Sequence, residues 1–219
     1  MNKAAITVFS LMTLASPVVI WMKQTGDIAF YFSDMAPTGQ LLYVLSKLSG
    51  LCALALLMWQ VMLSLLDKCE MLTISWKGKA HRLAGILIIT LALSHLLLFF
   101  SGVSLRQGYP AWRMFLPDFK DYYHTHLTFG LIALWGLVGV VIAGIYRLKK
   151  KYKNFQLLHK GYVPVAILVY IHALSVGTEA QSMYGTIYYV FVALLSLGLL
   201  FLWALKSMRN AAPNKVTDT

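Results

Sequence analysis

The residues of this sequence whose types and spacing suggest chemistry are its histidines. Six occur in 219 residues: His81, His95, His124, His126, His159 and His172. His81 and His95 are 14 residues apart in one apolar segment. On an α-helix this spacing corresponds to about 21 Å of rise and leaves the two side chains only about 40° from a common face. One helix can therefore hold two metal-binding groups stacked along its axis.

A second apolar segment carries His159 and His172, which are 13 residues apart. The rise is similar, about 20 Å, but an ideal helix would turn the two side chains about 140° away from each other. Pro164 lies between them and cannot donate a backbone hydrogen bond. We therefore expect a kink or an altered turn that absorbs part of the rotation.

Histidines at matched depths on two helices indicate a redox cofactor. Neutral imidazole binds haem iron, and two imidazoles fill both axial positions. Ionisable side chains inside a membrane are costly and usually functional. The sequence has no Cys-x-x-Cys-His motif, so the attachment would be non-covalent. We predict two b-type haems with His81, His95, His159 and His172 as iron ligands. The alternative is that these histidines only hydrogen-bond neighbouring helices or lie at the interface.

Other polar residues are assigned supporting roles. Each ligand ring is expected to donate its other nitrogen to a carbonyl or a hydroxyl, and Ser94 and Ser175 are candidate partners. Basic residues near each level are candidates to neutralise haem propionates, namely Arg82 and Lys160 at one level and Arg106 and Arg113 at the other. His124 and His126 lie where a loop enters an apolar segment. One reading of His124 and His126 is an ordinary interfacial role. The alternatives are a site for an external metal or electron acceptor, and support of the nearby haem.

The elements that position these histidines are membrane-spanning helices. With 59% hydrophobic and 12% charged residues and a mean hydropathy of +0.68, the composition lies outside that of soluble domains. Apolar runs predict an all-α integral membrane protein, a six-helix transmembrane bundle forming one domain over residues 1–210. The predicted helices cover approximately 4–22, 41–66, 81–101, 126–146, 157–176 and 184–205. Residues 211–219 are predicted to be a disordered tail. The first run also resembles a signal peptide, but a retained helix is favoured.

The basic residues predict the orientation. Of the 19 Lys and Arg residues, fourteen fall on the side of the termini when six helices cross the membrane. By the positive-inside rule both termini are cytoplasmic, and His81 and His159 lie at the cytoplasmic level. The net charge of +11 is thus a topology signal, and no nucleic-acid partner is predicted. The basic run 147–153 is read in the same way, or as a dock for an acidic flavoprotein or anionic lipid. We predict a multi-pass protein of the bacterial inner membrane.

Two segments carry a family resemblance. One is His81-Arg-Leu-Ala-Gly followed by His95, and the other is Gln156-Leu-Leu-His159-Lys-Gly-Tyr followed by Pro164 and His172. They resemble the ferric reductase-like transmembrane domain superfamily, which includes NADPH oxidases, ferric reductases and the haem-binding membrane subunit of the periplasmic methionine sulfoxide reductase system. The resemblance implies that His81 pairs with His159 at an inner haem and His95 with His172 at an outer haem.

The resemblance also implies a function. Oxidases and ferric reductases of this superfamily usually continue into FAD- and NAD(P)H-binding domains, whereas this sequence ends soon after helix six and has no Gly-x-Gly-x-x-Gly fingerprint. We therefore expect an oxidoreductase or electron-transfer component that needs a partner, with FAD or FMN present only in that partner. Electrons would pass from a separate cytoplasmic flavin reductase or reduced flavin to an external acceptor such as ferric iron, oxygen or a periplasmic redox protein.

Two other functions are consistent with the sequence. The first is a quinol-linked di-haem cytochrome b subunit of a respiratory or periplasmic reductase complex. The second is a non-redox membrane transporter or assembly factor whose histidines bind or carry protons. No catalytic residue is predicted, and the four histidines are predicted only to bind the haems.

Overall fold

The structure is a computed structural model that describes residues 3–72, 78–150 and 153–211. These ranges contain seven α-helices, three short 3₁₀ helices and no strand. The α-helices are α1 Lys3–Thr25, α2 Gln40–Lys68, α3 Lys79–Gln107, α4 Tyr122–Lys150, α5 Lys153–His159, α6 Tyr162–Val176 and α7 Met183–Ala211. The predicted tail, apart from its first residue, lies outside the described residues.

Six segments are long and apolar enough to cross a membrane, with α5 and α6 together contributing the fifth. The prediction of an all-α six-helix bundle is therefore confirmed. The helices extend beyond the apolar runs from which they were predicted: α3 continues past residue 101 to Gln107, and α4 begins at Tyr122 instead of residue 126. α3 ends where Gly108 adopts a left-handed conformation, with φ of 78°, and its N–H bonds to the carbonyl of Ser104. Hydropathy does not detect such a cap.

The helix is broken between His159 and Tyr162. The amides of Lys160 and Gly161 bond to carbonyls three residues back, at 3.0 Å each, as in a 3₁₀ turn. A 3₁₀ turn has three residues per turn and rotates the chain faster than an α-helix. Part of the expected rotational mismatch is absorbed here. Pro164 lies in the first turn of α6, where its missing N–H costs no hydrogen bond.

Two helices, α2 and α4, make most of the helix contacts of the bundle. α2 lies against α1, α3 and α7, while α4 lies against α5 and α6. The core of α2 is fully enclosed, with Met62, Leu63 and Leu65 at most 2% exposed. α2 and α3 approach so closely near one end that a Cβ at Gly39 would collide with the carbonyl of Gly102. In the described part of the chain, α3 and α6 are not among the closely packed helix pairs, which leaves space between the two helices that carry most of the predicted ligands.

Candidate cofactor site

The histidine rings meet in two pairs. The ring centroids of His81 and His159 are 6.1 Å apart, and those of His95 and His172 are 6.3 Å apart. We call His81 and His159 the inner pair and His95 and His172 the outer pair, after the orientation that the charges predict. The 3₁₀ turn allows both levels to form despite the 13-residue spacing. The structure therefore brings together the residues that the resemblance paired.

These distances can be compared with those that a bis-histidine iron requires. An imidazole nitrogen binds a transition metal at about 2 Å, and the ring centroid lies about 1 Å behind that nitrogen, so two axial rings have centroids about 6 Å apart. Both pairs match this separation. The four histidines fit the axial ligation of two haems, and haem ligation itself stays a prediction.

Three of the four rings are fixed by backbone carbonyls of a neighbouring helix. The Nδ1 atom of His95 lies 2.8 Å from the carbonyl oxygen of Ser46 on α2. On α4, the carbonyl of His126 lies 2.8 Å from Nδ1 of His172, and that of Val140 lies 3.0 Å from Nδ1 of His159. A carbonyl only accepts, so each Nδ1 must donate its proton. This leaves Nε2 deprotonated and free to bind a metal.

Each of these carbonyls lies one helical turn before a glycine. Gly50 follows Ser46 by four residues, and Gly130 and Gly144 follow His126 and Val140 by the same interval. A Cβ added to Gly130 would lie 2.6 Å from Nδ1 of His172, and one added to Gly50 would lie 2.9 Å from Nδ1 of His95. The absent side chain lets the imidazole lie against the helix backbone and reach the carbonyl. We call this arrangement, a carbonyl with a glycine four residues later, a glycine dock.

The docks supply the carbonyl partners that the sequence predicted as one alternative, in place of the candidate serines Ser94 and Ser175. Both serines lie on the same helices as the rings that they were expected to bind. The structure instead gives His95 and His172 partners on α2 and α4. His95 has a second, longer contact of 3.4 Å with the hydroxyl of Ser46. Of the two partner types that the sequence predicted, a carbonyl on an adjacent helix is the one that lies within 2.8 Å of each of these rings.

An apolar layer separates the two levels. Ile88 lies midway between His81 and His95, Val165 and Ala166 lie midway between His159 and His172, and all of the layer's side chains are at most 8% exposed. They are Leu57, Ile88, Leu137, Val140, Val165 and Ala166. Neither ions nor water are stabilised in such a layer. The two histidine levels are therefore separated by apolar side chains.

A cavity lies at the outer pair. It encloses about 1390 Å³ including the space at its mouth, and both His95 and His172 line it. Most of its wall is apolar and comes from α2, α3, α4 and α6, and it includes Leu57, Ile88 and Leu137 of the apolar layer. The outer pair therefore lies on the wall of an apolar cavity between these helices.

An ion pair that the sequence did not reveal lines the same cavity. Lys47 on α2 lies 3.3 Å from the carboxylate of Glu179, which is only 4% exposed. Thr178 accepts a hydrogen bond from Lys47 at 2.6 Å and donates one to Glu179 at 3.2 Å. The lysine also lies over the ring of Tyr43. Lys47 is therefore the cation that the structure places on the wall of the outer cavity.

Replacing Lys47 with methionine should destabilise the protein strongly. Glu179 would be left buried without its cation, and removing one partner of a buried pair costs about 3 kcal/mol or more. The double variant Lys47→Met with Glu179→Gln should recover most of that loss. Thermal unfolding in detergent measures the interaction free energy between Lys47 and Glu179 when wild type, both single variants and the double variant are compared. Strictly additive effects would show that the two groups do not interact.

The four basic residues predicted near propionates lie in different settings. Arg106 hydrogen-bonds the side chain of Gln40 and lies over the ring of Tyr43. It lines a second, smaller cavity that shares Tyr43 with the outer one. The side chains of the other three, Arg82, Lys160 and Arg113, are exposed.

His124 and His126 do not form one site. The Nδ1 atom of His124 lies 2.8 Å from the carboxylate of Asp121, which also accepts a hydrogen bond from the His124 backbone amide. This backbone hydrogen bond holds the pKa of Asp121 below its usual value. The ring of His126 donates to the carbonyl of Tyr122 at 2.7 Å and lies against the Tyr122 ring. Over the described residues, no group of three or more His, Cys, Asp and Glu side chains could hold a metal ion. His126 contacts the outer pair through its carbonyl.

Comparison with known proteins identifies a family. The family model described as ferric reductase like transmembrane component matches residues 49–170, more than half of the chain. No curated protein and no solved structure matches. Domains of this family commonly bind haem and carry out transmembrane electron transfer. With its six spans, the chain is a multi-pass membrane protein, and it belongs to the ferric reductase-like transmembrane family.

Proposed function

We propose that this protein is a di-haem cytochrome b that carries electrons across the bacterial inner membrane from a cytoplasmic donor to an external acceptor. The observation that carries the proposal is the pair of histidine ring separations, 6.1 and 6.3 Å, at two levels. An apolar layer lies between these levels. One redox centre would not need two such pairs, and a proton pathway would need polar groups, which an apolar layer does not supply.

This protein's own residues orient histidine rings for iron binding at both the inner and the outer pair. The three glycine docks hold their imidazoles with Nε2 deprotonated, so little reorganisation is needed on binding. When bound, haem supplies a one-electron redox centre at each level. The apolar layer places no charged side chain between the two levels, and at the outer cavity Lys47 and Glu179 supply a balanced pair of charges. Arg82 and Lys160, with Arg106 and Arg113, remain our candidates for propionate contacts.

The partners follow from this arrangement. We propose that electrons enter at the inner pair from a separate flavoprotein or reduced flavin, so that FAD or FMN belongs to the partner. They leave at the outer pair, where the cavity has its polar residues. Ferric iron, oxygen or a periplasmic redox protein is the acceptor. Both termini are cytoplasmic in this scheme, which makes the histidine level nearest the basic segments the entry point.

Electron transfer can be tested in sealed vesicles. Purified protein is reconstituted into vesicles that enclose ferricyanide, and photoreduced flavin mononucleotide is added outside without oxygen. Wild-type protein should reduce the enclosed ferricyanide, whereas His159→Ala and His172→Ala should each fall to the rate of protein-free vesicles. Haem-loaded wild type with no rate above that background would overturn the proposal, as would an unchanged rate in either variant.

The second cavity favours one alternative donor. It is lined by Tyr43, Phe99, Gly102, Val103, Arg106 and Tyr123 and adjoins the outer cavity. Aromatic walls with one cation suit the ring of a quinol, which would make the protein a quinol-linked di-haem subunit. Reduction of the haems by a quinol in vesicles without any flavin would support this alternative. Loss of that reduction in Arg106→Leu, with flavin-driven reduction intact, would locate the site.

A further inference from the structure

The outer cavity has a polar corner. Lys47 on α2, Glu179 in the 3₁₀ helix before α7 and Tyr189 on α7 all line the cavity, and we call these three residues the polar corner. A Cβ at Gly185 would collide with the carbonyl of Glu179, so this glycine lets the 3₁₀ helix lie directly on α7. All three residues fall outside residues 49–170, the range that the family model matches. Family membership therefore does not account for the polar corner.

The hydroxyl of Tyr189 is a buried donor. The residue is 2% exposed, and its hydroxyl has no hydrogen-bond partner among the described residues. The position of the ring is fixed by the rings of Tyr170 and Tyr188, whose centroids each lie 5.8 Å away. A buried tyrosine hydroxyl usually has a hydrogen-bond partner. An unused donor in the wall of a cavity therefore indicates a ligand that carries an acceptor.

Lys47 supplies a second donor to the same corner. Its ammonium group has three N–H bonds. The hydroxyl of Thr178 and the carboxylate of Glu179 take two of them, at 2.6 and 3.3 Å, and the described part of the chain offers no third oxygen. Among the described residues that line the outer cavity, Lys47 is the only lysine or arginine. The corner therefore presents a cationic donor and a phenolic donor to the cavity.

A carboxylate is the ligand group that suits these two donors, because hydrogen bonds to an ionised acceptor are about twice as strong as neutral ones. Haem carries propionate carboxylates, and the outer histidine pair lines the same cavity. We propose that the polar corner binds a propionate of the outer haem through Lys47 and Tyr189. This inference rests on the proposed di-haem function. Glu179 is a positioning residue, because it holds the ammonium group on the cavity wall and partly offsets its charge.

Iron protoporphyrin dimethyl ester is the probe, because it keeps the ring and the iron of haem but has no carboxylate. Haem and the ester are titrated separately into haem-free protein that carries His159→Ala, in which only the outer pair can supply two imidazoles. Absorbance measures the affinity. Tyr189→Phe should weaken haem binding about tenfold, through the loss of one hydrogen bond to a charged group, and should leave ester binding unchanged.

Tyr188→Phe is the matched control. It removes the same hydroxyl group from the neighbouring residue, whose hydroxyl donates to the carbonyl of Thr13 at 3.2 Å. Tyr188 is not among the residues that line the outer cavity. The variant should therefore bind haem and the ester with the affinities of the parent protein.

Glu179→Gln tests the positioning role by an effect of opposite sign. Lys47 keeps its charge in this variant but loses its anionic partner, so it should attract a propionate more strongly. The affinity for haem should rise, whereas the affinity for the ester should stay as in the parent protein. A packing defect would instead lower the affinity for both compounds.

Two results would overturn this inference. One is a Tyr189→Phe protein that binds haem as the parent does, or that loses haem and the ester equally, because the hydroxyl would then only pack or bind water. The other is weaker haem binding in Glu179→Gln. Wild type with two low-spin haems would leave the proposed function intact in both cases. Wild type that binds no haem would instead overturn the proposed function itself.

Discussion

His172→Ala should reduce the haem content from two haems per chain to one. His172 supplies one of the two axial nitrogens of the outer level, and its ring centroid lies 6.3 Å from that of His95. Alanine leaves that iron with a single ligand in a cavity whose wall is mostly apolar. The inner pair lies on the other side of the apolar layer and should be unaffected. A pyridine haemochrome assay against protein concentration measures the change.

The matched control is His126→Ala. His126 contacts His172 through its backbone carbonyl, at 2.8 Å, and alanine keeps that carbonyl. The variant should therefore retain both haems, although it loses the ring contact with Tyr122. If His172→Ala keeps both haems, the assignment of the outer pair is incorrect. If His126→Ala loses one as readily, its side chain has a role that the structure does not show.

Gly130→Ala adds only one methyl group but should disturb the outer haem nearly as much as His172→Ala does. Its Cβ would lie 2.6 Å from Nδ1 and 2.7 Å from Cε1 of His172, closer than side-chain packing allows. The ring must leave the His126 carbonyl, and overpacking of this kind costs about 1–3 kcal/mol. We expect loss of the low-spin signal of the outer haem in the EPR spectrum.

Two other glycines of α4 provide a graded comparison. A Cβ at Gly144 would lie 3.2 Å from the ring of His159, so alanine there should cause a smaller disturbance, confined to the inner haem. A Cβ at Gly139 meets no atom within 4 Å, and Gly139→Ala should behave as wild type. Equal effects of all three substitutions would mean that helix stability, and not docking, explains them.

The sequence predicted the helices well because a membrane imposes one requirement on every span. A run of apolar residues long enough to cross the bilayer must form a helix. The predicted ends of the helices were less accurate. For example, α3 ends at the left-handed Gly108 and not where its apolar run ends. The break after His159 was expected near Pro164. It occurs at Lys160 and Gly161, where two amides form 3₁₀ hydrogen bonds.

The site was only partly predictable. Histidine identity and spacing indicated the ligands, because few side chains can bind iron at depth. The groups that orient the rings are backbone carbonyls, which every residue has, so nothing in the residue type of Val140 indicates its role. A glycine four residues after each carbonyl is the signal that could have revealed the docks. Lys47 and Glu179 are far apart in sequence, and only the packing of the loop before α7 against α2 brings them together.

The most direct test of the central claim is the haem content and EPR spectrum of the purified wild-type protein. Two paired imidazole levels predict two b-type haems per chain, both low-spin in the oxidised state and both extracted by the pyridine haemochrome method. A protein that stays colourless after reconstitution with haem would contradict the account and favour a transporter or assembly factor. A single haem per chain in fully loaded protein would also contradict it, because one of the two histidine pairs would then have no redox role.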